Sequence, residues 1–195
     1  MIFEWRTYRF APGRATEYLA AFQCEGLPLV TRHLPMLGYW LTDSGRLNVL
    51  HHLWAYADLD DRASCRTALA ADTEWTAGFG HRAFPMIEAQ ETLLLIPLAT
   101  SPRLTQAIAA AREPRPAAAA DAPLLASSWA CLEIGEAAAP AGPAEPVGAW
   151  QVISGERPAS HVWLSRSDDA TGITPAPLAA LRRELMRPAA FSPLQ

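Results

Sequence analysis

Hydrophobic and polar residues change their period along the chain, and the changes divide it into elements. Ile2 to Phe10 alternates, so Ile2, Glu4, Arg6, Tyr8 and Phe10 share one face of a strand and Phe3, Trp5, Thr7 and Arg9 the other. Pro12-Gly13 turns the chain. Arg14 to Cys24 then carries Ala15, Tyr18, Leu19 and Phe22 on one stripe, which predicts a helix. Gly26-Leu-Pro28 interrupts it, and Pro28 suits the first position of a second short helix. Gly38 to Thr42 reads as a strand, Asp43-Ser-Gly45 as a turn, and Leu47 to Tyr56 as the strand that completes a hairpin. Asp58 caps a helix from Leu59 to about Ala71, Asp72 caps another through Trp75 and Phe79, and Ala89 to Ile96 reads as a strand closed by Pro97.

The resulting order, strand-helix-strand-strand-helix-strand, predicts an α+β fold. It is a ferredoxin-like βαββαβ unit over residues 1–98, with helices on one face of an antiparallel sheet. Residues 99–123 are rich in Pro and Ala and read as a linker, with a short helix at Thr105 to Arg112. Residues 124–195 read as a trimmed second copy. Leu124 to Ile134 takes the place of the first strand, Gly148-Ala-Trp150 echoes Gly38-Tyr-Trp40, and His161-Val-Trp163 echoes His52-Leu-Trp54. Leu178 to Leu185 stands where the second helix belongs, and no final strand is expected after Arg187.

Composition narrows the function classes. Half of the 195 residues are hydrophobic, which supports a packed core. The net charge is −4, Lys is absent and no basic cluster occurs, so nucleic acid is not an expected partner. No apolar run is long enough for a bilayer, so no membrane partner is expected. The opening residues do not read as a signal peptide, and the expected compartment is the cytoplasm. Cys24, Cys65 and Cys131 are far apart and odd in number, which predicts free thiols rather than a disulfide frame or a metal site. Glycine-rich phosphate loops and GxSxG are missing, which disfavours nucleotide-dependent and serine-hydrolase chemistry.

Glu4-Trp-Arg-Thr-Tyr8, Pro12-Gly13, Gly26-Leu-Pro-Leu29, Gly38-Tyr39, Asn48, His52-Leu-Trp-Ala-Tyr-Ala-Asp-Leu59, Asp61-Arg62, Arg66, Leu69, Asp72 and Trp75 together resemble the NIPSNAP family. The resemblance covers residues 2–98, and the second half resembles the degenerate repeat of longer members. It implies the dimeric α+β barrel fold, in which two ferredoxin-like sheets pack face to face and a cavity lies within the fold. That predicts a homodimer, or a barrel closed by the second half of the chain. The wider superfamily includes polyketide cyclases, cofactor-independent monooxygenases, muconolactone isomerases and haem enzymes, so the fold leaves the chemistry open.

The residues themselves point to one spot. Strand alternation puts Asn48, His52, Trp54 and Tyr56 on one face, and the adjacent first strand offers Glu4, Arg6 and Tyr8. Buried polar groups need partners, so this face is either a lined pocket or a structural network of Glu4 with Arg6 or Arg62 and His52 with Tyr8. As a pocket, His52 would transfer a proton, Tyr8 and Arg6 would bind the oxygen that gains charge, and Glu4, Asn48, Trp54, Tyr56 and Trp40 would line the substrate. His51 and His52 point to opposite faces and cannot share an ion, so no metal and no cofactor is expected. The favoured activity is cofactor-free cyclisation, isomerisation or elimination on a small aromatic or polyketide-like molecule. The alternatives are a non-catalytic binding or interaction module and a cofactor-free monooxygenase or haem-binding barrel.

Overall fold

The computed structural model describes residues 1–119, 121–136, 144–169 and 180–195. Eight strands form one closed barrel: β1 (Ile2–Phe10), β2 (Met36–Ser44), β3 (Val49–Tyr56), β4 (Ile87–Thr100), β5 (Trp129–Gly135), β6 (Glu145–Ser154), β7 (His161–Ser167) and β8 (Ala180–Pro188). Their order around the barrel is β1-β3-β2-β8-β5-β7-β6-β4, with every pairing antiparallel. Within the first 100 residues the order is β4-β1-β3-β2, and the later strands run β8-β5-β7-β6. The two sheets therefore meet edge to edge through β4 on β6 and β2 on β8, and closure removes the unpaired edges that a single sheet would leave. The barrel closes within one chain.

The first sheet is buried on both faces, and its alternation sorts chemistry rather than exposure. Phe3, Trp5, Leu53, Leu95, Trp40, Leu132, Trp150, Val162, Leu164 and Met186 fill the interior. Ile2, Tyr8, Phe10, Tyr39, Leu50, Trp54 and Tyr56 face outward against the helices. That outer layer begins with α1 (Arg14–Ala21), which runs through a π-helical stretch (Phe22–Gly26) into α2 (Leu27–Val30). The expected break at Gly26-Leu-Pro28 is thus a wider turn, in which the Leu27 N–H reaches back to the Phe22 carbonyl. A Cβ on Gly26 would come within 2.7 Å of the Phe22 ring and 2.9 Å of the Phe79 ring, so only glycine admits this approach. α3 (Leu59–Ala71) starts where Asp58 accepts from the Asp61 N–H, and a second π-helical stretch (Glu74–Gly80) leads into the short α4 (His81–Ala83).

Three expectations need correction. Ala180–Pro188 is a strand, not the helix expected at Leu178 to Leu185, and it is also the final strand that the sequence did not promise. Leu-Arg-Arg-Glu-Leu-Met favours a helix intrinsically, but β2 and β5 each present an open edge, and pairing to both outweighs local propensity. Residues 178 and 179 lie outside the described residues. Second, residues 99–119 are tied to their neighbours rather than forming a free linker. β4 runs on to Thr100, and Ser101 caps α5 (Pro102–Ala109), whose Leu104 and Ala107 pack onto the interior cluster. Beyond it, the Arg115 and Ala118 N–H groups bond to Thr31 Oγ1 and the Gln23 carbonyl, both at 2.9 Å. Third, the two GxW motifs do match. Trp40 and Trp150 each fold back over their own glycine and lie opposite Pro188 and Pro97. However, His52 pairs with Tyr39 while Trp163 pairs with Ala149, so His161-Val-Trp163 stands two residues out of step with His52-Leu-Trp54. A slip of two keeps each side chain on its original face. Residues 137–143 and 170–177 of the second half likewise lie outside the described residues.

Candidate functional site

β1 and β3 bring the predicted residues together by register. Arg6 lies opposite His52 and Glu4 opposite Trp54, and from β2 Tyr39 lies opposite His52. His52 is 2 % exposed and enclosed by rings. Tyr39 stacks on it at 4.7 Å between centroids, and Tyr8 and Trp54 meet it edge-on at 4.6 and 5.5 Å. Trp54 Nε1–H donates to His52 Nδ1 at 2.7 Å. An indole nitrogen only donates, so Nδ1 must keep its lone pair and the ring proton must sit on Nε2. His52 Nε2 is shut off from solvent with no hydrogen-bond partner among the described residues. Burial, followed by the charges of Arg6 and Arg66, holds the imidazole pKa well below its usual range, so the ring is neutral. The geometry therefore presents a neutral N–H donor.

A charged cluster adjoins the imidazole. Glu4 is fully buried and accepts from Arg62 Nη2 at 2.6 Å, from Arg66 Nη2 and from Tyr56 Oη at 3.2 Å, with Arg6 Nη1 at 3.6 Å. Burial alone would raise the Glu4 pKa, but Arg66, Arg62 and Arg6 outweigh it and hold the carboxyl below its ordinary value. The Tyr56 phenol is pushed up, chiefly by burial. Arg6 Nη2 also donates to Gln90 Oε1 at 2.8 Å.

Two predicted residues lie elsewhere. Asn48 sits in the β2–β3 turn with φ 57°, where its carbonyl accepts from the Phe10 N–H; the strand alternation that placed it beside His52 begins only at Val49. Trp40 faces the barrel interior and stacks on Trp5 at 5.4 Å, because it lies opposite His51 and shares that residue's face. Conversely, Tyr39, Arg66 and Gln90 join the cluster without having been singled out. Arg62 and Arg66 are an i, i+4 pair on α3, and two arginines on the helix face that meets a buried glutamate were the available signal.

The interior holds a second polar group, which the sequence reading missed. His51 is completely buried, accepts from Trp5 Nε1 at 3.1 Å through Nδ1, and meets Glu184 Oε2 at 2.7 Å through Nε2. Arg46 and Arg182 each bond Glu184 Oε1 at 2.9 Å. His51 and His52 do lie on opposite faces, as expected. Among the described residues no three His, Cys, Asp or Glu side chains are grouped to hold a metal.

The NIPSNAP family model matches residues 3–102, about half of the chain. The chain belongs to the NIPSNAP family. NIPSNAP relatives include the mouse Protein NipSnap homolog 3B, 37 % identical over 46 % of this chain and 36 % of the relative, and the human homolog 3A, 33 % identical over 47 % and 37 %. The match thus spans little more than a third of the length of these relatives. A solved NIPSNAP domain protein from Burkholderia xenovorans is 43 % identical, covers 52 % of this chain and 99 % of its own, and superimposes with a TM-score of 0.50. A solved anthrone oxidase-like protein covers 96 % of this chain and 90 % of its own at a TM-score of 0.54 with 8 % identity, a likeness of fold alone. NIPSNAP similarity thus accounts for the first sheet and its helices, and the fold likeness extends over the whole barrel. All eight candidate site residues, Glu4, Arg6, Tyr8, Trp40, Asn48, His52, Trp54 and Tyr56, lie within the matched region.

Proposed function

We propose that this NIPSNAP barrel is a cofactor-independent enzyme that enolises, and thereby isomerises, cyclises or cleaves, a small planar carbonyl compound of aromatic or polyketide type. The observation that carries the reading is His52 Nε2, a buried N–H with no partner and a tautomer fixed by Trp54. Leaving such a donor unpaired costs about 1–3 kcal/mol, so it favours a bound oxygen. A neutral imidazole N–H beside two arginines stabilises an oxygen that gains charge. This moves His52 from the proton-transfer role to the oxygen-binding role, which Tyr8 and Arg6 share, and the proton that leaves the carbon passes to solvent water. An iron ligand would need a lone pair on Nε2, and the Trp54 bond opposes that tautomer. Three free cysteines accord with a reducing, cytoplasmic setting.

The test is solvent deuterium exchange at the carbon beside the carbonyl, followed by NMR across a panel of aryl ketones and 1,3-dicarbonyl compounds. His52→Phe keeps the ring on Tyr39 and removes the donor, so exchange should fall by roughly 10²–10³-fold, the usual loss for one oxyanion donor. His52→Gln, which restores an N–H, should lose less. Exchange per folded molecule that is the same in wild type and His52→Phe would refute the oxygen-binding role of His52.

A further inference from the structure

We propose that the arginine cluster beside His52 selects anionic substrates, small planar organic acids whose carboxylate or phosphate oxygens are captured by Arg6, Arg62 and Arg66. The inference rests on the preceding assignment for the chemistry but not for the binding. Three guanidinium groups surround the single carboxylate of Glu4, which leaves two positive charges unmatched in the cluster. Among the described residues no neighbouring acid supplies the difference. Asp61 is engaged by Arg112 and by the Ala57 N–H, Glu91 pairs with Arg46 and Glu88 with Arg9. The β4 residue that meets Arg6 is Gln90, a neutral amide.

Excess charge of this kind is tolerated on an open surface, where water screens it, and is costly where side chains are half-buried. Arg6, Arg62 and Arg66 are 17 %, 28 % and 24 % exposed, while Glu4 beneath them is sealed. An anion arriving from solvent therefore meets the arginines and not the carboxylate. Donors remain for it: each guanidinium has five N–H groups, and Arg62 and Arg66 engage Glu4 through Nη2 alone. The groups are also held in place. Arg6 lies over the Tyr8 ring at 5.4 Å and Arg66 over the Trp54 ring at 5.8 Å, which anchors the cations beside the rings that enclose His52.

Isothermal titration with benzoate, phenyl phosphate and benzamide at constant ionic strength tests the inference and separates the two oxyanions. At least one anion should bind about tenfold or more tightly than benzamide, the range expected from one added charge-assisted hydrogen bond. Arg62→Gln and Arg66→Gln should each weaken the anion by about tenfold or more and leave benzamide nearly unchanged. Gln90→Glu removes no arginine and places a competing carboxylate beside Arg6, so it should weaken the anion in a protein that folds normally. Benzamide binding as tightly as the acids, or no binding of any probe at about 10 mM, would overturn the anion site. Neither result touches the deuterium-exchange test of His52. A preference for acids that persists in His52→Phe would keep the anion site even if that test failed.

Discussion

Replacing Glu184 with Gln keeps its shape and removes one charge from the barrel interior. The carboxylate is 1 % exposed and accepts from His51, Arg46 and Arg182 through both oxygens. Trp5 Nε1–H occupies His51 Nδ1, so His51 must donate from Nε2. A glutamine has one oxygen and one NH₂. With the oxygen towards His51, its NH₂ faces two guanidinium groups; turned over, it faces the His51 N–H. In either orientation a donor meets a donor. Breaking one partner out of a buried ion network costs about 3–5 kcal/mol. Arg46 is 45 % exposed and can turn to water, so the lower end applies. For a chain of this length each kcal/mol is roughly 2–4 °C, so a cost of about 3 kcal/mol puts the fall in Tm at roughly 6–12 °C. Calorimetry and urea unfolding measure it. The double variant His51→Leu with Glu184→Leu also strands Arg182 and the buried Trp5 Nε1–H, so it should be destabilised at least as much as Glu184→Gln. A Glu184→Gln protein that melts within about 2 °C of wild type would refute the reasoning.

Stability should fall in two steps on acidification. His52 is held neutral below its ordinary 6.5, so its contribution is complete above about that pH and erodes below it, as the unfolded chain gains a proton that the folded chain refuses. Glu4 and Glu184 are held below 4.5, so their contribution persists above that pH and is lost as the pH falls through their folded values. Urea unfolding at pH 7.5 and 5.5 should show a slope of up to about 1.4 kcal/mol per pH unit that His52→Phe reduces, and equal slopes in the two proteins would contradict this. Because one chain closes the barrel, sedimentation should give the mass of a single chain at micromolar concentration; a dimer that does not dissociate on dilution would show that closure leaves another face to cover.

Period-two alternation from Ile2 to Phe10 and from Val49 to Tyr56 made the cluster legible, because register in a sheet fixes which side chains meet. The same rule failed at Asn48, where the turn takes a left-handed backbone that leaves no trace in the alternation, and it did not place Trp40, whose barrel side follows from lying opposite His51. β8 was illegible for a different reason: its residues prefer a helix, and only the two open edges of β2 and β5, distant in sequence, make it a strand. The partners of His51 come from the same distance, since Glu184 lies 133 residues away. Arg62 and Arg66 were visible on one helix face, but their target was visible only once that helix lay over β1.

A barrel assembled from two identical chains must carry each side chain twice, at places related by symmetry. Here opposite Trp40 stands His51, and opposite Trp150 stands Val162. The ion network of Glu184 therefore exists once, bonded to His51 where the corresponding position offers only a methyl surface. Each sheet has been released from copying the other, so a change that suits one end of the barrel need not be tolerated at the opposite end. A single substitution can then be felt on one side alone, which no homodimer allows, and the stoichiometry expected of such a protein is one ligand per barrel rather than two.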